Sequence, residues 1–266
     1  MQILLFMRIL LLSPHPDDIE FACGSTEVQL VKAGHEVIMA CFTADEYGTD
    51  RNEFKGERIS KIRRWEMREA VKVVGIKKLY WLGYIDGYSH FDLESVNLIK
   101  KFIEKIKPDI IFAPDPFYPL DSHIDHINLA KTVYYVWNKL KKKPLYLLYY
   151  TYKPNYYIPS KYNKIAAEAF KKHISQGFAN PIFLYFNRTV KFIFGLFTPH
   201  AIFPEFFRIV GNIKNYKNPI KIPKIVSKLF SIIFYKASQK FMPERDLYKP
   251  TPEELGLKKF RFDLKI

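Results

Sequence analysis

Short apolar runs alternate with longer amphipathic ones through the first 175 residues, and few folds are open to a chain patterned this way. Arg8–Leu12, His35–Thr43, Lys78–Leu82, Asp109–Ala113 and Pro144–Thr151 are five to nine residues long and rich in apolar side chains, so they read as buried strands. Between and after them Gly24–Ala33, Arg58–Val74, Glu94–Ile106, Ile124–Leu140 and Ser160–Ser175 follow a helical period. Gly34 and Gly75 stand where helix ends are expected, and Pro108 stops the third helix. On Arg58–Val74 the apolar side is read as Ile62, Trp65, Ala70 and Val73 or Val74. Strands alternating with helices predict an α/β fold: a three-layer, Rossmann-like, mostly parallel sheet with helices on both faces. In such sheets ligands sit outside the carboxyl ends of the strands.

Charge divides the chain. Residues 1–150 hold 21 Lys/Arg against 20 Asp/Glu, whereas residues 151–266 hold 21 against 7. The expected organisation is a catalytic core over 1–180 and a basic, aromatic-rich extension over 181–266, packed on the core or forming a small cap. A basic segment suits an anionic partner such as a lipid surface, and equally a solvated lysine-rich face. Val226–Phe241 is predicted as a basic amphipathic helix, with Val226, Ile233, Phe234, Ala237 and Phe241 on one side and Lys228, Lys236 and Lys240 on the other. The two cysteines imply no disulfide framework. The opening MQILLFMRILLL lacks a basic start and a small-residue cleavage site, so it reads as part of the first strand. Together these point to the cytoplasm, with peripheral membrane contact and self-association both open.

Two loops at strand ends carry reactive side chains. The first reads S-P-H-P-D-D-I-E (13–20), the second ends in H-I-D-H (123–126). Pro14 and Pro16 restrict the first backbone. His15 and Asp18 can converge on one cation, and His123 and His126 share a face if a helix starts there. Three protein ligands and one open position make a catalytic zinc site, and His15, Asp18 and either later histidine supply them. One carboxylate and one histidine then remain for acid and base work, the complement that amide hydrolysis requires. Read alone, a His-Pro-Asp turn or an aspartate pair capping a helix is unremarkable structure. A dinucleotide-binding protein would need a glycine-rich turn after strand one. A basic lipid- or nucleic-acid-binding protein would explain the charge but not the two loops. Cys23 reads as a small packed residue and His35 as exposed; His173 suits a structural or a site role, His200 has no neighbours that suggest a ligand set, and His90, in the loop after Asp86, is placed to touch substrate.

HPDD after the first strand with HIDH about a hundred residues later resembles the PIG-L/LmbE family of zinc-dependent N-acetylglucosamine deacetylases. R-R-W-E-M-R-E-A-V-K-V-V-G (63–75), L-G-Y-I-D-G (82–87), K-K-H-I-S-Q (171–176) and F-P-E-F-F-R (203–208) are similar to its further signatures. A-P-D-P-F-Y-P-L-D-S-H-I-D-H and Y-Y-T-Y-K-P-N-Y-Y resemble its archaeal chitobiose-deacetylase branch. The resemblance implies that His15, Asp18 and His126 hold Zn²⁺, with Fe²⁺ or Co²⁺ also suited. It implies Asp17 as general base, His123 as acid or oxyanion stabiliser, and Asp125 as the residue that orients His123. Arg63 and Asp86 would hold the sugar, and the substrate would be an N-acetylated amino sugar, not nucleic acid. Pro14 and Ile19 stand where the family often has Ala and Glu, and Ile124 where it has Pro. None of these replaces an implied ligand.

Overall fold

The computed structural model describes residues 6–118, 123–151 and 153–176. Beyond these it describes 189, 191–193, 195–198, 203–210, 220, 223–226, 228–229, 232, 250–259 and 262–265. Eight strands form the sheet among them, in the order β6-β7-β5-β4-β1-β2-β3-β8. Strands β1 (Arg8–Ser13), β2 (Glu36–Thr43), β3 (Lys78–Tyr84), β4 (Ile110–Pro114) and β5 (Leu145–Tyr149) are the five expected from the sequence, and neighbours among them run parallel. The helices are α1 (Asp18–Lys32), α2 (Glu57–Val74), α3 (Leu93–Ile106), α4 (Ile124–Lys139) and α5 (Asn163–Phe170).

One face of the sheet carries α1, α2 and α5 over Ile9, Leu11, Met39, Phe112 and Leu147. The other carries α3 and α4 over Leu10, Leu12, Ile38, Ile111 and Leu148. Side chains alternate between the two faces, and helices cover both, which is why these strands read as unbroken apolar runs. From β1 the chain winds outward through β2 and β3, then returns to β4 on the other side of β1. The crevice between β1 and β4 is therefore the switch point at which α/β sheets bind ligands.

The last part of the chain is less separate than its composition suggests. Strand β7 (Glu205–Val210) lies between β5 and β6 (Tyr156–Ile158), antiparallel to both. Strand β8 (Phe262–Lys265) pairs antiparallel with β3 at the opposite edge. These described parts of the 181–266 segment extend the sheet on both sides of its five parallel strands. Val226 is the only one of the five apolar-side positions of the predicted Val226–Phe241 helix among the described residues. The others lie outside them, as does His200.

Helix α1 starts six residues earlier than its periodicity indicates, at Asp18, and is broken at Cys23, whose φ of −143° is not helical. The break exposes fresh backbone N–H groups, and buried Glu205 on β7 accepts two of them, from Ser25 at 2.9 Å and Thr26 at 2.7 Å. A carboxylate at a helix start satisfies orphan donors and meets the positive end of the dipole.

Helix α2 buries only part of the face read off its apolar residues: Ala70 and Val74 are inside as expected, Trp65 is not. Ile59, Arg63, Glu66, Met67, Ala70, Val71 and Val74 point inward, while Trp65 is 52% exposed and Ile62 only half-buried. The pattern misled because an arginine and a glutamate occupy the inner stripe.

Candidate active site

The loop from β1 to α1 is held open-mouthed by its own backbone. Ser13 Oγ donates to the carbonyl of His15 at 2.6 Å, and Thr43 N donates to that of Pro14 at 3.0 Å. Asp17 has φ 108°, a conformation costly for a residue with a Cβ. Asp45 (φ 58°) and Tyr150 (φ 50°), both beside it, are also left-handed. Such strain collects at functional sites, where surrounding contacts over-determine it.

The two sequence loops meet across the β1–β4 crevice. Asp18 Oδ2 lies 3.4 Å from His15 Nδ1 and 3.4 Å from His126 Nε2. Two donors each about 2.1 Å from a tetrahedral ion stand about 3.4 Å apart, so each of these two spacings about Asp18 suits one edge of a zinc-like site. The Asp18 carboxylate is fixed from both sides: Oδ2 accepts from the His15 backbone N–H at 2.9 Å, Oδ1 from Tyr150 Oη at 2.8 Å. Tyr150 also stacks on the His126 ring, 5.5 Å between centroids. His123, at the start of α4, has its ring 4.3 Å from that of His15 and 5.0 Å from that of His126. Ring nitrogens of His15, His123 and His126 all lie within 4.8 Å of one another. A second close group joins His15 and His123 to Asp86 and Asp125. This His/Asp cluster can hold a divalent metal ion.

His15 Nε2 faces away from Asp18, 3.0 Å from Asp86 Oδ1 and 3.3 Å from Asp125 Oδ2. Asp125 is thus nearer His15 than His123, whose Nδ1 is 3.7 Å away. Its Oδ2 also accepts from Gly87 N at 2.7 Å. Asp86, expected to reach the sugar, is 3% exposed and spends its other oxygen on the backbone N–H of Tyr47 at 3.1 Å. Metal-binding histidines commonly donate their second nitrogen to a carboxylate in this way.

Arg63 departs furthest from expectation. It is 0% exposed and its guanidinium is fully engaged: Nε on Asp45 Oδ2 at 2.6 Å, Nη1 on Glu66 Oε2 at 2.8 Å, and Nη2 on Asp17 Oδ2 at 2.6 Å and on the carbonyl of Pro16. A side chain so enclosed supports the HPDD loop from beneath.

Burial dominates the protonation of these groups. It pushes Asp17 well above the usual carboxylate range, against the opposing pull of Arg63. Burial raises Asp18 too, but His126 and His15 outweigh it and hold the carboxyl well below the usual range. Burial depresses His15, and the bonds to Asp125, Asp18 and Asp86 more than offset this, leaving it well above its ordinary value. Two adjacent aspartates are thereby driven apart, one proton-hungry and one persistently charged, the division of labour that acid–base chemistry uses.

Asp45, Glu66 and Tyr150 were not read from the sequence as site residues. Glu66 had a signal, three positions from Arg63 and so on the same helix face. Tyr150 follows directly on β5, a strand-end position next to the crevice. Asp45 lies between the second expected strand and the second expected helix, where no pattern marks it.

Residues 10–137 match the family described as PIG-L, GlcNAc-PI de-N-acetylase. They resemble a PIG-L domain. The domain contains both loops, the crevice between β1 and β4, and all the residues named above except Tyr150. A diacetylchitobiose deacetylase of Thermococcus kodakarensis is 26% identical over 226 residues, 77% of this chain and 84% of its own length. A probable N-acetyl-alpha-D-glucosaminyl L-malate deacetylase 2 of Bacillus cereus is 33% identical over 51% of this chain and 63% of its own. The solved N,N'-diacetylchitobiose deacetylase from Pyrococcus horikoshii, in complex with its inhibitor MPG, superposes with a TM-score of 0.71 at 28% identity. The match covers 79% of this chain and 88% of that one.

The bond from Tyr150 to Asp18 yields a measurable expectation. Tyr150→Phe keeps the ring that stacks on His126 and removes one donor from the Asp18 carboxylate. Metal affinity is expected to fall about 10- to 100-fold, read by competition with a chelating dye. Unchanged affinity would remove Tyr150 from the support of Asp18.

Proposed function

We propose that this chain hydrolyses the acetamide of N-acetylglucosaminyl compounds, releasing acetate and a free amino sugar, with His15 Nδ1, Asp18 Oδ2 and His126 Nε2 holding a Zn²⁺ ion. The observation that carries the reading is the pair of 3.4 Å spacings about Asp18 in the PIG-L domain's crevice, with a second, base-like aspartate next in sequence. Fe²⁺ and Co²⁺ suit the same donors. The family and its deacetylase relatives favour this over a non-catalytic lipid- or nucleic-acid-binding role.

The ion, when bound, polarises the acetyl carbonyl and makes water a better nucleophile near neutral pH. Asp17 takes a proton from the water as its oxygen attacks the carbonyl carbon. His123, whose side chain is 20% exposed at the site mouth, donates to the oxygen that becomes negative in the tetrahedral adduct. The C–N bond then breaks, the nitrogen leaves as the amine with the proton that Asp17 had taken, and the acetic acid formed passes its remaining proton to the amine to give acetate. Asp86 and Asp125 hold the His15 ring in place, and Arg63 holds Asp17. In this reading Arg63 and Asp86 act on the catalytic groups, not on the sugar.

The test is acetate release from a panel of N-acetylglucosaminyl compounds: a free chitooligosaccharide, a GlcNAc-lipid and a GlcNAc-thiol conjugate. About one metal ion per chain, lost in His15→Ala together with acetate release, is the expected result. No release from any member sinks the proposal.

Contact with a membrane is a second reading, favoured by one observation. Ile225, Leu229 and Ile232 recur at helical spacing and are 70%, 55% and 43% exposed, beside Lys224 and Lys228. A basic, apolar-striped segment can lie in an anionic lipid interface. No helix of the described residues is long and apolar enough to cross a membrane. The full chain should co-sediment with anionic vesicles and lose that binding with Leu229→Glu; equal sedimentation of the two excludes this segment.

A further inference from the structure

Glu66 lies one turn along α2 from Arg63, buried, and the reaction above assigns it nothing. Its Oε2 accepts from Arg63 Nη1 and from Ser175 Oγ, both at 2.8 Å, and its Oε1 accepts from Ser175 N at 2.7 Å. Asp45 meanwhile occupies Arg63 Nε at 2.6 Å. A guanidinium facing one carboxylate tends to pair two-to-two with it. Here two competitors stand on the other nitrogens, and Asp17 receives Nη2 alone, through its Oδ2. Among the described residues nothing donates to Asp17 Oδ1. Charge balance would need one carboxylate on a buried guanidinium, and surrounding it with three is costly. The excess is what divides the fork.

We infer that Glu66 is a positioning residue for deacetylation. With Asp45 it fixes the rotation of the Arg63 guanidinium, so that Asp17 is gripped by one oxygen and presents the other to the reacting water. Through Ser175 it also ties that fork to the turn after α5, joining the base to a segment 109 residues downstream of Glu66. The inference rests on Asp17 acting as the base, as proposed above.

Glu66→Gln tests it. The amide keeps the shape and one acceptor oxygen, and loses the charge that competes for Arg63. Metal content should stay at the wild-type level and KM for the acetylated sugar should stay within about twofold. kcat should fall about 10- to 100-fold, as expected when a catalytic group shifts by a fraction of its bond length. Glu66→Asp, which restores the charge, should recover part of the loss. A kcat within twofold of wild type, or a loss carried by KM, overturns the inference. Ser175→Ala removes only the hydroxyl bond and should lower kcat several-fold at constant KM; no effect there also counts against it. Loss of the folded protein in both Glu66 variants would mark the residue as a folding requirement and overturn the positioning role.

A readout independent of turnover separates this from failure of the proposed reaction. In protein labelled with ¹⁵N-arginine, the Arg63 Nη protons should give separate, slowly exchanging signals in the wild type and averaged ones in Glu66→Gln. Averaged signals in the wild type would overturn the inference even if acetate is released. Locked signals without acetate release would sink the reaction and leave the divided fork standing.

Discussion

Asp17→Asn is expected to lower acetate release by about 10²- to 10⁴-fold, the range a positioned general base contributes, without loss of bound metal. Three features of the site make this a clean experiment. The amide oxygen of asparagine can still accept from Arg63 Nη2, so the loop's anchor survives. Asparagine tolerates the left-handed backbone that Asp17 adopts at φ 108° better than most residues. Asp18, the adjacent proposed ligand, is held separately by Tyr150 and by the His15 backbone. The variant should therefore fold, load metal and bind sugar, failing only at proton transfer. The measurement is kcat alongside metal content by elemental analysis. Near-normal turnover in metal-loaded Asp17→Asn would take the base role from Asp17.

The largest effect on stability is expected from Arg63→Met. The methionine fills much of the stem's volume and leaves Asp17, Asp45 and Glu66 buried around no cation. Breaking a buried ion pair from one side typically costs about 3–5 kcal/mol, because the remaining charges are uncompensated. A whole domain is stable by only about 5–15 kcal/mol, so the loss would be visible in urea denaturation. Arg63→Lys restores charge but not the fork, since an ammonium group cannot donate in three fixed directions within one plane. It should recover some of the stability and little of the turnover. If Arg63→Met unfolds within about 1 kcal/mol of wild type, the guanidinium is not the keystone of that cluster. If either variant raises KM with kcat intact, Arg63 is a sugar contact after all.

The parts of this fold that could be read from the chain are those set by near neighbours. Leu10, Leu12 and Ile38 belong to runs whose composition suits a strand covered on both faces, and all three are buried. Proline and glycine punctuation placed several helix ends within a residue or two: Gly34 and Gly75 have φ of 84° and 93°, and α3 ends just before Pro108. The His/Asp loops were legible for a similar reason. Each is a compact string at a strand end, and a parallel sheet gathers its strand ends on one side.

Other features depended on partners far along the chain. Strands β6 and β8 are short edge elements, and β7 is an antiparallel strand inserted between β6 and β5. Glu205–Val210 reaches its place only by pairing with β5 and β6, a long-range choice that local periodicity does not encode. The inward face of α2 was misread because hydrophobicity predicts burial only of groups without partners. Arg63 and Glu66 are buried because Asp17, Asp45 and Ser175 meet them there. Likewise Asp86 and Asp125 turn toward His15, an arrangement created by where the β3–α3 loop crosses the start of α4.

The chain's local order thus determined that an α/β sheet forms and that HPDD and HIDH emerge at its strand ends, because periodicity and turn chemistry act over a few residues. The tertiary structure decided which nitrogen of His15 faces Asp18, which carboxylates steady that ring, and that Arg63 holds the base from below. Those are matters of ångströms between residues tens to a hundred positions apart. Burial makes each such charge costly unless its partner arrives, so only the finished packing settles them.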